Sequence, residues 1–96
     1  MAKDGDPLES IYRATLATWG EEAQYDQMIE ECAELIASLK HLKRGKVEDQ
    51  AIIDELADVT LMVGQLTWMF GQERVAEAIA AKTKKLHRLL LAEGES

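Results

Sequence analysis

Apolar residues recur at helical spacing along almost the whole chain. Met28, Ile29, Cys32, Leu35, Ile36, Leu39 and Leu42 keep a period near 3.6, as do Ile52, Leu56, Val59, Val63, Leu66 and Phe70. A further stripe runs through Val75, Ile79, Leu86, Leu89 and Leu90. No alternating run rich in Val, Ile and Thr occurs, so no strand is expected. Gly5, Pro7, Gly20, Gly45, Gly64, Gly71 and Gly94 are the only breakers, and they leave segments of helical length with short connections. Four helices are expected: Pro7 to about Trp19, about Glu21 to Lys43, about Glu48 to Phe70, and about Glu73 to Ala92. Asp6 suits the N-cap of the first, with Pro7 at its first position and Glu9 completing a capping-box spacing. Short connections between long helices favour antiparallel neighbours, hence an all-α, four-helix-type bundle.

The second half of the third segment departs from a single stripe. Leu61, Met62, Val63, Leu66, Trp68, Met69 and Phe70 surround that helix almost completely. A helix apolar all round is buried all round. In so short a chain the covering surface is expected from another copy, as a homodimer or a dimer of dimers. A helix central to its own bundle would show the same pattern.

Composition narrows the function. Ninety-six residues make one domain, expected over 1–96 with flexible ends at 1–6 and 93–96. With 47% hydrophobic and 30% charged residues the chain is globular and not disordered. Eleven Lys+Arg against 18 Asp+Glu give a net charge of −7, which argues against nucleic acid as partner. The apolar stretches fall short of the roughly 20 residues of a membrane span, and no signal-peptide pattern opens the chain. The single cysteine cannot form an internal disulfide, which fits a reducing cytoplasm.

The acidic residues are placed with a pattern. At 100° per residue, Glu31 and Glu34 stand about 100° and 160° from the centre of the second helix's stripe, and Glu55 and Asp58 stand at matching angles on the third. With these helices antiparallel about the 43–48 turn, Glu34 and Asp58 lie at nearly one height. Four carboxylates could therefore converge across one helix pair. Such a cluster repels itself unless protons or metal neutralise it, and oxygen-only ligands suit Mg²⁺, Mn²⁺ or Ca²⁺. The bland alternative, that these are solvated residues bordering an apolar stripe, stays open on spacing alone.

Glu30-Glu31-x-x-Glu34 followed by Glu55-x-x-Asp58 resembles the EExxE…ExxD signature of the all-α NTP pyrophosphohydrolases, the MazG-like family. Trp19-Gly20, Gln24, Glu34-Leu35-Ile36, Arg44-Gly45, Ala57-Asp58-Val59, Phe70-Gly71 and Lys82-Thr83-Lys84-Lys85-Leu86 extend the resemblance from about Trp19 to Leu90. It implies hydrolysis of a nucleoside or deoxynucleoside triphosphate between the α and β phosphorus atoms. It also implies Glu31, Glu34, Glu55 and Asp58 as Mg²⁺ ligands, with Mn²⁺ a possible substitute, and Glu30 or Glu34 as the group that takes a proton from water. Dimeric dUTPases and phosphoribosyl-ATP pyrophosphatase are relatives by fold. The latter reading is minor, because Thr60-Leu61-Met62 stands where a histidine would be expected.

Lys82 and Lys85 lie in and at the edge of the last helix's apolar face, where they could meet the triphosphate or simply snorkel. Trp19 and Gln24, at the corner of the first two helices, could stack on and read a base, although Trp19 could equally be core. Cys32 reads as a small buried hydrophobe. A non-catalytic acidic bundle that only binds a partner is the rival from another class, and divalent-metal binding separates the two.

Overall fold

The computed structural model describes residues 7–95. The cap expected at Asp6 and the flexible start expected at 1–6 lie outside the described residues; of the flexible end expected at 93–96, residues 93–95 are helical and Ser96 lies outside the described residues. Three helices follow one another: α1 (Pro7–Lys43), α2 (Asp49–Phe70) and α3 (Gln72–Glu95). The all-α expectation holds, and no strand occurs among the described residues.

The first two expected helices are the two arms of α1. They meet at Gly20 without a loop, through a backbone with φ 88° and ψ 172°. That region of backbone space is essentially confined to glycine, because a Cβ would collide with the neighbouring peptide units. The break folds the 7–19 arm back, and Gln24 Nε2 donates to the Thr15 carbonyl oxygen at 3.3 Å across the corner.

The end of α1 is closed by a Schellman motif. Lys46 N–H donates to the His41 oxygen at 2.9 Å and Gly45 N–H to the Leu42 oxygen at 2.9 Å, with Gly45 at φ 72°. The chain then reverses and α2 runs back along α1. Near its far end α2 is gripped by both arms. Gln65 donates from Nε2 to the Tyr12 carbonyl at 2.9 Å and accepts from Thr15 Oγ1 at 2.7 Å. Tyr25 stacks on Phe70 with ring centroids 6.1 Å apart. At Gly64 the helices approach so closely that a Cβ would strike the Tyr12 ring.

Little of this is dry. Among the described residues only Tyr12 (9% exposed), Gln24 (6%) and Gln65 (3%) are buried. Two of the three are amides, tolerated inside because hydrogen bonds satisfy them. The radius of gyration is 17.1 Å, against about 12–13 Å for a compact domain of this length. The cause is α3, which meets α2 only at their corner and does not pack on α1. One chain by itself thus leaves the expected antiparallel bundle open. Leu61, Val63 and Phe70, expected to be covered, are about half exposed in the single chain.

Candidate metal centre

The antiparallel pairing of the second arm of α1 with α2 brings acidic positions of the two helices together. One carboxylate oxygen each from Glu31, Glu34 and Glu55 lies within 4.8 Å of the others. Glu31 and Glu55 are half-buried and Glu34 is exposed. No Cys or His joins this trio among the described residues, although Cys32 sits half-buried next to Glu31 in the chain. Asp58, one turn beyond Glu55, is exposed and its carboxylate stands outside the trio, as does that of exposed Glu30.

The electrostatics follow from the crowding. Glu34 is held above its ordinary value of 4.5, first by the negative charge of Glu31, then by the loss of some hydration among its neighbours, then by the charges of Glu55 and Glu30. Two oxygens of the trio, Glu31 Oε1 and Glu55 Oε1, are shut off from solvent and have no hydrogen-bond partner. A buried acceptor without a donor costs roughly 1–3 kcal/mol, and more when charged. A hard divalent cation supplies what these oxygens lack and cancels the mutual repulsion, so the donor set fits such an ion.

Glu31 is also fixed from its own helix. Gln27, one turn earlier, donates from Nε2 to Glu31 Oε2 at 2.7 Å. Gln27 at the same time lines a groove of about 600 Å³ between the two arms of α1 and α2. The groove walls are mostly apolar, formed by Leu8, Ile11, Ala23, Leu61 and Met62, with Tyr12, Thr15, Gln24 and Gln65 as polar points. Trp19 lies on its rim, 66% exposed, and Gln24 forms part of its wall. The volume is within the range of small-molecule sites. Groove and carboxylate cluster are thus joined through one side chain.

Lys82 and Lys85 are placed elsewhere. Both are exposed on α3, and Lys82 borders a hollow shared with Phe70, Arg74, Val75, Ala78 and Ile79. Sequence reasoning missed Gln27 and the Tyr12–Thr15–Gln65 network. The i,i+4 spacing of Gln27 and Glu31 was the available signal for the first. A polar residue inside an otherwise apolar run, Gln65, was the signal for the second.

The MazG nucleotide pyrophosphohydrolase domain matches the chain over residues 20–90. Neither the curated proteins nor the solved structures returned a match.

Proposed function

The chain belongs to the MazG nucleotide pyrophosphohydrolase family, and from that premise we propose that it hydrolyses a nucleoside or deoxynucleoside triphosphate between its α and β phosphorus atoms. Water adds to phosphorus, the α–β anhydride bond breaks, and a nucleoside monophosphate and pyrophosphate leave. The observation that carries this reading is the trio of Glu31, Glu34 and Glu55 with two buried, unpartnered carboxylate oxygens.

Glu31, Glu34 and Glu55 would hold Mg²⁺, or Mn²⁺ in its place, and the family motif adds Asp58, one turn further along α2. The bound ion supplies charge neutralisation at the phosphate oxygens and makes water more acidic. The chain's own groups do the rest. Glu34, whose proton affinity is raised by its neighbours, or Glu30 beside it, accepts the proton of the attacking water. Gln27 keeps Glu31 in place. In the adjoining groove, Trp19 offers a flat face for a base, and Gln24 offers an amide on the wall.

The test is a screen of the common NTPs and dNTPs with Mg²⁺, scored separately for pyrophosphate and orthophosphate. Pyrophosphate with a monophosphate is the expected pair. Orthophosphate as the first product means cleavage at the γ phosphorus and rejects the assignment.

A further inference from the structure

Three glutamines line the groove between the arms of α1 and α2, and their amides have different duties. Gln24 donates from Nε2 to the Thr15 carbonyl at 3.3 Å, and Gln65 donates from Nε2 to the Tyr12 carbonyl at 2.9 Å. Both bonds hold elements of the fold together. Gln27 alone of the three turns to the carboxylate cluster, donating from Nε2 to Glu31 Oε2 at 2.7 Å.

Chemistry fixes the direction of that amide. An ionised carboxylate only accepts, so the nitrogen of Gln27 must face Glu31 and the amide oxygen is left over. Among the described residues Gln27 Oε1 has no hydrogen-bond partner. Glu31 divides its own oxygens in a similar way. Oε2 accepts from Gln27, and Oε1 is shut off from solvent without a partner. One line of groups thus runs from a groove residue, through an amide and a carboxylate, to a dry oxygen suited to a cation.

Two effects make this line cooperative. Gln27 is exposed, so holding Glu31 costs the freedom of a long side chain. Whichever ligand arrives first meets that cost, and the second binds to a side chain already ordered. Hydrogen bonds in a chain also polarise one another, so an N–H received at Gln27 Oε1 strengthens the bond that Nε2 gives to Glu31. Groups that orient a metal-binding side chain in this way govern the affinity of the ion.

We propose that Gln27 is a positioning residue that couples the groove to the metal centre: a nucleobase in the groove that donates an N–H to Gln27 Oε1 and a divalent ion at Glu31 each tighten the binding of the other. The base as occupant rests on the pyrophosphohydrolase reading, whereas the coupling rests on the Gln27 amide. Every common base carries an N–H on its pairing edge. By reciprocity the two tightening factors are equal.

The test counts free Mn²⁺ by electron paramagnetic resonance, with bare deoxynucleosides as probes. These have no phosphate, so they act on the ion only through the protein. In the wild type, at least one of the four common deoxynucleosides should lower the Mn²⁺ dissociation constant by about fivefold or more, the lower end of typical coupling between sites. Gln27→Met keeps the length of the side chain and removes both amide groups. That variant should bind Mn²⁺ about 10–100-fold more weakly, and no deoxynucleoside should change its constant. Gln50→Met is the control. It removes the same kind of bond, from Gln50 Nε2 to Asp54 Oδ1 at 2.8 Å, at a carboxylate outside the trio, and should bind Mn²⁺ as the wild type does. Both variants should keep the helical circular dichroism and the metal-free urea midpoint of the wild type, since both glutamines are exposed. A wild type that binds no Mn²⁺, a constant that no deoxynucleoside moves, tightening that persists in Gln27→Met, or equal losses in Gln27→Met and Gln50→Met overturns the proposal. The titration needs no turnover. Tightening in a protein that releases no pyrophosphate from any dNTP sinks the catalytic reading alone, whereas pyrophosphate release without tightening sinks the coupling alone.

Discussion

Magnesium should stabilise this protein by far more than its ionic strength, and the Glu31–Glu34–Glu55 cluster sets the expected size. Without metal, the folded chain confines three carboxylates within 4.8 Å and leaves two of their oxygens dry and unpartnered. The unfolded chain has neither problem, so a divalent ion should bind the native state selectively. Selective binding raises stability by about 2.7 kcal/mol at a hundredfold excess over the dissociation constant. For a domain of 60–100 residues, each kcal/mol moves the melting temperature by about 4–8 °C. The expected rise is thus on the order of 10–20 °C between EDTA and saturating Mg²⁺, followed by far-UV circular dichroism. Glu55→Gln should behave differently in both states. It removes one charge and places an amide donor beside Glu31, so the metal-free variant should melt no lower than the metal-free wild type. Its response to Mg²⁺ should shrink sharply. An equal rise in NaCl of matched ionic strength, or a full response in Glu55→Gln, would refute the reasoning and return the cluster to an ordinary acidic surface.

Three further outcomes are expected. Because Glu34 holds its proton more tightly folded than unfolded, metal-free stability should fall as pH rises above 4.5, the ordinary value; urea midpoints across pH in EDTA should show that slope, and Glu34→Gln should flatten it. Gln65→Leu breaks two hydrogen bonds at a site only 3% exposed and should cost about 1–3 kcal/mol, read as a lower urea midpoint; an unchanged midpoint would mean that the two bonds contribute nothing net. Asp58→Asn should stay folded, as its carboxylate is exposed, yet lose turnover by about a hundredfold or more, since metal-borne charge stabilisation is worth several kcal/mol and each 1.36 kcal/mol is tenfold; a fully active variant takes Asp58 out of the metal site.

What could be read from the chain followed from periodicity. The stripes fixed which segments are helical, and the ends at Lys43 and Phe70 came from Gly45 and Gly71. Gly20 was legible as a break, but its unusual torsion pair was not. The sequence therefore could not say that the two arms join without a loop. Helical angles and heights singled out Glu31, Glu34, Glu55 and Asp58, and the first three converge. Asp58 shares the angle of Glu34, but angle and height do not encode the inclination between two helices, and its side chain is a methylene shorter. Gln65 was passed over because hydropathy marks an amide as surface, whereas paired hydrogen bonds let it sit inside. The stripe on α3 announced an apolar face without naming what lies against it. Period reports that a helix has an apolar side, and the length of the neighbouring connection decides whether its own chain can cover it.

The single-residue joint at Gly71 makes loop length a control on where α3 can lie. A glycine-rich insertion of three or four residues there would exceed the minimum span of an antiparallel helix pair. α3 could then turn back along its own α2, and counting about as many residues before the corner as after it, Lys85 would come level with the Leu56 turn, next to Glu55. The apolar stripe of α3 would then be covered within its own chain. One engineered loop would thus close an arrangement that the native connection holds open.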